Sequence, residues 1–244
     1  MKKLFAIVLA LCLMLSLAAC GKTEPTEAPT EAPTEAPTEA TTEAPTEAPT
    51  EAPTEAPTEA EELSPAVGVT DGNSYVNTVL GISCDLSEEW TVLDEQAIAD
   101  VYGYTVESFA DDNLKSAMEN AGSMIVYYAL RNEALESLNI SIASSGLFGY
   151  LEGSESQLIE MIIPQLESSL PAMGVEATSV EAATTTFAGQ EHSCINIVGT
   201  TNGVTIYEKQ VIICSGDYMF SITAASYLKD TCDELLASFT ALAE

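Results

Sequence analysis

The sequence has few of the residues from which active sites are commonly built. It contains one histidine, His192, and only seven lysines and arginines among 244 residues. It has no Cys-x-x-Cys pair, no Gly-x-Ser-x-Gly, no glycine-rich phosphate loop, no dinucleotide fingerprint and no Asp-x-Asp-x-Asp-Gly calcium loop. A lone histidine cannot form an ordinary zinc site, and a Ser-His-Asp arrangement would depend on it entirely. We therefore predict no metal, no cofactor and no catalytic residue, and we interpret His192 as a surface or strand-edge residue.

Basic residues are especially scarce after the N-terminal quarter of the chain. Twelve of the 38 acidic residues and three of the seven basic residues precede Leu63, which leaves 26 acids and four bases, a net charge of −22. The four bases are scattered singly, at Lys115, Arg131, Lys209 and Lys229. Without a basic patch, nucleic acid and anionic lipid surfaces are excluded as partners. The charge favours solubility and self-repulsion, and the alternative is recognition of an envelope protein or a cationic ligand.

A single long apolar run is present, at the N-terminus. Lys2 and Lys3 precede the apolar residues 4–17, a pattern typical of a secretory signal and too short for a membrane span. The closing residues Leu17-Ala18-Ala19-Cys20 resemble the bacterial lipoprotein signal. This resemblance implies that residues 1–19 are removed and that the Cys20 thiol carries a diacylglycerol. The alternative is an ordinary cleaved signal in which Cys20 bears no lipid.

The lipidation of Cys20 would determine where the protein is located. Two or more acyl chains make a stable anchor, whereas one chain alone binds a membrane only marginally. The resemblance thus implies a protein held by its lipid anchor at the outer face of the cytoplasmic membrane, exposed to the cell wall or the exterior.

Residues 20–64 form the lipidated cysteine and a repetitive stalk. From Thr23 to Glu59 the sequence Pro-Thr-Glu-Ala recurs with a period of four, interrupted once at Thr41-Thr42. Proline at this spacing prevents a helix, and nothing apolar larger than alanine is available for a core. We predict a disordered, extended spacer, whose 37 residues reach on the order of 110 Å in polyproline II geometry. O-linked sugars on the threonines are a further possibility.

Residues 65–244 are long enough for one domain with an ordinary core, and a second domain is not expected. A turn at Asp71-Gly72-Asn73 precedes a strand at 75–80, and alternation at 82–86 predicts a second strand with Cys84 facing inward. Apolar residues at helical spacing then predict two short helices within 93–101 and 106–118. Two apolar strands follow, at 124–130 and 138–143.

The connection at residues 146–153 is the best candidate for recognition. Phe148 and Tyr150 lie between glycines in a strand-to-helix loop, where ligand-binding residues often concentrate. The alternative is that both rings fold back and cover the core.

A long helix is predicted after this connection. Ser154 and Gln157 form a capping box, and Gly174 ends the helix. Pro164 predicts a kink or a division into two shorter helices. The expected buried stripe consists of Leu158, Met161, Ile162, Leu166, Leu170 and Met173.

The last third of the domain predicts a meander of strands. Asn202-Gly203 is a strong hairpin signal, and a two-residue loop places Thr201 opposite Val204. Cys194 then pairs with Val211, and Cys214 lies on the opposite face of the hairpin. We therefore predict no disulfide between Cys194 and Cys214.

A final helix is predicted at the C-terminus, with Thr231 as its N-cap and Glu234 three residues later. Cys232, Leu235, Leu236 and Phe239 would share its buried face. The helix N-terminus would lower the pKa of the Cys232 thiol, but the neighbouring acids oppose this, and burial of an unreactive thiol is the favoured interpretation.

The order of elements is similar to that of the PsbP/Mog1/DcrB fold group, and especially to the small lipoproteins of Gram-positive anaerobes that carry such domains. The resemblance is carried by the segments 75–90 and 217–242, including the glycine turn before Tyr218 and the closing Leu235-Leu236-Ala237-Ser238-Phe239. It implies an α+β fold, an antiparallel sheet flanked by helices in an α/β/α sandwich. It implies little about activity, because the group shares no catalytic residues.

Two functions are consistent with the sequence. The first is a non-catalytic binding or accessory module of the envelope, held by its lipid anchor. The second is an extracytoplasmic hydrolase that uses two carboxylates, because the 26 acids of the domain offer many pairs and none is singled out. A cleft with two acids of raised pKa would favour the hydrolase.

Overall fold

A computed structural model describes residues 62–146 and 155–243 of the chain. These residues form eleven strands and four α-helices. The strands are β1 Val69–Asp71, β2 Ser74–Asn77, β3 Ile82–Asp85, β4 Thr91–Val92, β5 Ser123–Arg131, β6 Glu136–Ser144, β7 Glu176–Phe187, β8 Gln190–Thr201, β9 Val204–Ser215, β10 Tyr218–Tyr227 and β11 Phe239–Ala241. The helices are α1 Glu95–Tyr102, α2 Asp111–Ala121, α3 Glu155–Ser169 and α4 Cys232–Leu236, and 3₁₀ turns lie at Val106–Phe109 and Leu170–Met173.

The strands form two antiparallel sheets. The large sheet has seven strands in the order β4-β5-β6-β10-β9-β8-β7, and the small sheet has four in the order β1-β2-β3-β11. The predicted α+β class with an antiparallel sheet is therefore confirmed. The N-terminal strands belong to the separate small sheet, which the sequence patterns did not distinguish from the large one.

The hairpin between β8 and β9 has the predicted register. Thr201 lies opposite Val204, and Cys194 lies opposite Val211. Asn202 and Gly203 both have positive φ, 50° and 77°, as a tight two-residue turn between twisted strands requires. Cys84, Cys194, Cys214 and Cys232 all have free thiols, so the prediction of no Cys194–Cys214 disulfide is confirmed.

One face of the large sheet, the core face, packs against the small sheet and α4. Tyr127 of β5 stacks on Tyr75 of β2 with ring centroids 4.3 Å apart, and Phe239 of β11 meets Tyr127 at 6.2 Å. Cys84 points into this core and is 1% exposed, as predicted. The opposite face carries α3, whose apolar residues pack on isoleucines of β8 and β9.

Helix α3 is not divided at Pro164, and the alternative outcome, a kink at Pro164, stays a prediction. The helix changes to a 3₁₀ turn at Leu170 and ends, as predicted, at Gly174 in the left-handed conformation. The predicted stripe was wrong at Met161, which is 57% exposed, whereas Ile159 is fully buried. Compared with the predicted stripe, the helix is rotated slightly about its axis. The face that packs on the sheet is centred between Leu158 and Ile159.

The C-terminal helix is shorter than predicted. α4 ends at Leu236, and the chain then extends so that Phe239 pairs with Cys84 in the small sheet. Phe239 is therefore a strand residue, buried by the sheet and not by the helix. Thr231 is the N-cap residue, as predicted, but its side chain makes no capping hydrogen bond and donates instead to Glu136 Oε1 at 2.7 Å.

Candidate functional site

Polar side chains meet at the centre of the face of the large sheet that carries α3. Residues directly opposite one another in an antiparallel sheet share a face. The central row of partners runs from β5 to β8 through Tyr128, Asn139, Thr223, Gln210 and Ile195. The two rows beside it contain Ser141 with Ser221, and Ser137 with Glu208 two strands away. We call seven of these side chains the polar strip: Ser137, Asn139, Ser141, Glu208, Gln210, Ser221 and Thr223.

The polar strip is buried. Each of its seven residues is at most 5% exposed. In β6 and β10 these residues alternate with Leu138, Ile140, Phe220 and Ile222 of the core face, which are fully buried. Burial of hydroxyls, amides and a carboxyl costs free energy unless each group finds a hydrogen-bond partner. An apolar surface would ordinarily be expected here, so the strip calls for an explanation beyond packing.

Glu208 is the charged member of the strip. Its Oε1 accepts a hydrogen bond from Gln210 Nε2, two residues along β9 on the same face. Burial raises the pKa of Glu208 to about 7, and the bond from Gln210 opposes this only in part. The neighbouring base, Lys209, points to the core face, where its Nζ binds both oxygens of Asp233 at 2.6 Å. The Glu208 carboxyl therefore has a neutral amide as its hydrogen-bonding neighbour.

Two polar atoms of the strip have no hydrogen-bond partner in the described part of the chain. They are Gln210 Oε1 and Ser221 Oγ, both buried. Ser221 lies on β10 diagonally across from Gln210, since Gln210 pairs with Thr223. Diagonal neighbours are within reach of long side chains. Glu208 lies in the row on the other side of Gln210, four residues along the strands from the row of Ser221.

Apolar residues border the strip on both sides. On the β5 side lies Tyr128, whose ring meets Tyr102 at the end of α1 edge-on at 6.4 Å. On the β8 side lie Ile195 and Ile197, which pack with Leu158 and Ile159 of α3. The strip thus lies between α1 and α3, on strands β6, β10 and β9.

A second polar site lies where β5 turns into β6. Arg131 donates to Glu136 through Nε at 2.7 Å and also through Nη2, and its guanidinium lies 5.3 Å from the centre of the Trp90 ring. Beside it is an open groove of about 600 Å³ lined by Glu88, Glu89, Arg131, Asn132, Glu133 and Ala134. Arg131 is already bound to Glu136, so the remaining charge of the groove is acidic. We assign this corner a structural role.

His192 also has structural partners. Its Nδ1 lies 2.7 Å from Glu155 Oε1, and Glu155 Oε2 accepts the backbone N–H of Ser193 at 3.0 Å. The imidazole packs edge-on against Phe187 with centroids 5.8 Å apart. Glu155 begins α3, so this contact joins the start of the helix to β8. No nucleophile completes a triad in these contacts.

The Cys232 thiol is not activated. It is fully buried, and its Sγ lies 3.6 Å from Ser226 Oγ. Burial raises its pKa to about 12, and the nearby Asp230 adds to the increase. α4 has only five residues, so its N-terminus offers a thiolate little stabilisation.

Several predicted site residues fall outside the structure's described residues. Cys20, Phe148 and Tyr150 are among them, and their roles stay predictions. Residues 62–146 and 155–243 contain no group of three His, Cys, Asp or Glu side chains placed to hold a metal ion. In the same residues, every helix is too short or too polar to span a membrane.

Sequence patterns alone do not reveal the polar strip. The alternation in β6 and β10 predicts strands with one apolar and one polar face, and a polar face is usually solvated. The signal available was the presence of apolar residues on both faces of the β8–β9 hairpin, which indicates cover on each side. That signal does not show that the cover extends over Glu208 and Gln210.

Comparisons with known proteins give a limited result. No protein-family model matches the sequence, and no curated protein matches it. Among solved structures the chain is similar to LpqN of Mycobacterium tuberculosis, described as involved in cell envelope biogenesis. The two share 13% identity over 71% of this chain and 87% of LpqN, with a TM-score of 0.34. The assignment of a function therefore depends on this chain's own residues.

Proposed function

We propose that this chain is a lipid-anchored envelope protein whose domain binds a ligand and does not catalyse a reaction. The signal ending at Cys20 and the Pro-Thr-Glu-Ala stalk support the anchor and the display of the domain away from the membrane. The polar strip supports binding, because it gathers hydrogen-bonding groups between α1 and α3.

The observation that carries this proposal is the composition of the strip. Its seven residues include one acid, Glu208, and six neutral side chains. A hydrolase of the two-carboxylate type needs a second acid across the scissile bond, about 5–10 Å from the first. The strip contains no second acid that could take this role beside Glu208. Binding by hydrogen bonds is therefore favoured over hydrolysis by a carboxylate pair.

The test compares retention with turnover. The purified full chain is incubated with cell-wall polysaccharide, and bound protein and released reducing ends are both measured. We expect retention of the protein that Gln210→Leu weakens, with no release of reducing ends. Release of reducing ends by the wild-type chain, abolished in Glu208→Gln, would show that the protein is a hydrolase.

A further inference from the structure

We propose that the outer edge of β7 binds an extended, cationic peptide strand of a partner protein, which adds to the large sheet beside β7. The backbone groups of β7 would hold the strand, and the acidic side chains around the edge would select a basic one. This surface is separate from the polar strip, because β8 lies between β7 and β9.

β7 is a long strand at an edge of the large sheet. It has 12 residues and pairs with β8 alone, whereas the opposite edge is formed by β4, which has two residues. Proteins usually protect an edge strand by keeping it very short or by placing lysine or proline in it. β7 contains neither residue type, and residues 182–187 carry no charge. β7 therefore retains the features of a template for another strand.

The strand register shows which backbone groups of β7 face outward. Ala188 and Gly189, with φ of 48° and 76°, form the two-residue turn between β7 and β8, so Phe187 and Gln190 are a hydrogen-bonded pair. Hydrogen-bonded and non-hydrogen-bonded pairs then alternate along the two strands. Residues in the non-hydrogen-bonded pairs direct their N–H and C=O away from β8. In β7 these residues are Val180, Ala182, Thr184 and Thr186.

The outward backbone groups are open to a partner. Three of the four residues are exposed, and Val180 is half-buried. Within residues 62–146 and 155–243, no hydrogen bond from another element reaches the backbone of these four. The helices contact β7 from the faces of the sheet, as when Thr185 donates to Asp233 of α4 at 2.7 Å on the core face. An added strand would pair with the row of N–H and C=O groups that these contacts leave free.

Charge selects the kind of strand. Glu176, Glu181 and Glu191 are exposed on β7 and β8, and the two strands contain no lysine or arginine. Opposite charges on paired strands stabilise the pairing, and like charges destabilise it. A second copy of this chain would bring the same acids and the same domain charge of −22, so the copies repel each other. A strand that carries lysine or arginine compensates these acids.

The experiment measures binding of labelled peptides to the full chain by fluorescence anisotropy. The probe is Lys-Val-Thr-Val-Thr-Val-Lys with blocked ends. A second peptide has glutamate in place of both lysines, and a third has N-methyl groups on two adjacent central residues, so that each of its edges loses an N–H donor. Thr184→Pro removes an outward N–H and leaves the pairing with β8 in place. Thr184→Val is the matched control, because it keeps that N–H, and circular dichroism confirms that each variant is folded.

A second measurement uses the wild-type chain and does not depend on the proline variant. Amide hydrogen exchange followed by NMR compares the outward N–H groups of Ala182 and Thr184 with the inward N–H groups of Ala183 and Thr185. The lysine peptide should slow exchange at Ala182 and Thr184. Ala183 and Thr185 are the internal control, because their N–H groups already bind β8.

We expect the lysine peptide to bind at least about tenfold more tightly than the glutamate peptide at low ionic strength. N-methylation should weaken binding strongly, because it removes backbone donors of the added strand. Thr184→Pro should weaken binding of the lysine peptide at least about fivefold, and Thr184→Val should leave it unchanged.

Three results would overturn the inference: equal binding of the glutamate peptide, an unchanged affinity in folded Thr184→Pro, or binding that leaves exchange at Ala182 and Thr184 unchanged. Slow exchange at these two amides without peptide, together with a dimer in analytical ultracentrifugation, would show that a second copy occupies the edge. That result would also overturn the assignment of a cationic partner strand.

Discussion

At the scale of single residues, Glu208 combines deep burial with neutral surroundings. Burial raises its pKa from 4.5 to about 7, so the folded protein binds a proton that the unfolded chain has released. A proton bound preferentially by the folded state stabilises that state. This contribution is complete below about pH 4.5, decreases as the pH rises, and is lost above about pH 7.

The first prediction follows from this linkage. The free energy of unfolding of the wild-type chain should fall between pH 5 and pH 8, with a contribution from Glu208 of up to about 3 kcal/mol. Glu208→Gln should remove that contribution and be the more stable protein at pH 8. Chemical denaturation at the two pH values measures the difference. Glu133→Gln, at an exposed site, should keep the wild-type slope, and an equal slope in Glu208→Gln would contradict the prediction.

A second residue-scale prediction concerns Glu136, which is 6% exposed and accepts bonds from Arg131 and from Thr231. Glu136→Ala should destabilise the fold by about 2–3 kcal/mol, because it leaves a partly buried guanidinium and a hydroxyl without their acceptor. Glu89→Ala is the control. Glu89 is 73% exposed and 3.6 Å from Arg131, so its loss should cost less than about 0.5 kcal/mol. Urea denaturation of both variants distinguishes the two contacts, and equal costs would refute the assigned role of Glu136.

The burial of a residue was predictable from the alternation of apolar and polar residues in its strand or from the turn that sets the strand register. Cys84 alternates with polar residues in a short strand, and Cys194 follows from the Asn202-Gly203 turn. The hydrogen bond of Thr231 and the burial of Glu208 were not predictable in this way. The partner of Thr231 is Glu136, 95 positions away, and the burial of Glu208 depends on elements that local pattern does not place.

At the scale of elements, the buried residues of α3 differ from those of the predicted stripe. The predicted stripe includes Met161, whereas the structure buries Ile159 and exposes Met161. At about 100° per residue, Ile159 lies within the arc of the other stripe residues and Met161 lies outside it, so the helical spacing itself favours Ile159. The isoleucines of β8 and β9 decide which arc of the helix is covered.

The third prediction tests this rotation of α3. Ile159→Ala should cost about 2–5 kcal/mol, since it removes a fully buried side chain and leaves a cavity. Met161→Ala should change stability by less than about 0.5 kcal/mol, because its side chain is 57% exposed. Thermal unfolding of the two variants checks both values. A larger loss of stability in Met161→Ala than in Ile159→Ala would contradict the structure and support the predicted stripe that contains Met161.

Strand pairing was predictable for neighbours joined by short turns. The β8–β9 and β9–β10 hairpins follow from Asn202-Gly203 and from Gly216. The pairing of β11 with β3 was not predictable, because it joins residues more than 150 positions apart. By its spacing from Leu235 and Leu236, Phe239 would also fit the buried face of a longer helix. It is not part of the helix because α4 ends at Leu236.

At the scale of the whole molecule, the α+β class and the antiparallel sheet follow from alternating strands and short hairpins. The division into two sheets does not follow from the sequence, because strands of both sheets show the same two-residue alternation of side chains. The polar strip also emerges only at this scale. Its residues come from β6, β9 and β10, and α3 and α1 border it from separate parts of the chain.

The charge and the N-terminal segment also act at the scale of the whole molecule. A domain with a net charge of −22 repels anionic surfaces, so an acyl anchor and a spacer are a physical means of keeping it at a membrane. We propose that recognition lies in the domain and attachment at Cys20.

The attachment is tested most directly by mass spectrometry of the mature N-terminus. Trypsin should release residues 20–22, Cys-Gly-Lys, with a diacylglycerol on the Cys20 thiol, and a labelled fatty acid supplied to the cells should be incorporated into the protein. Cys20→Ala should incorporate none. An unmodified N-terminus at Cys20 or at another residue, or fatty-acid incorporation that persists in Cys20→Ala, would contradict the account.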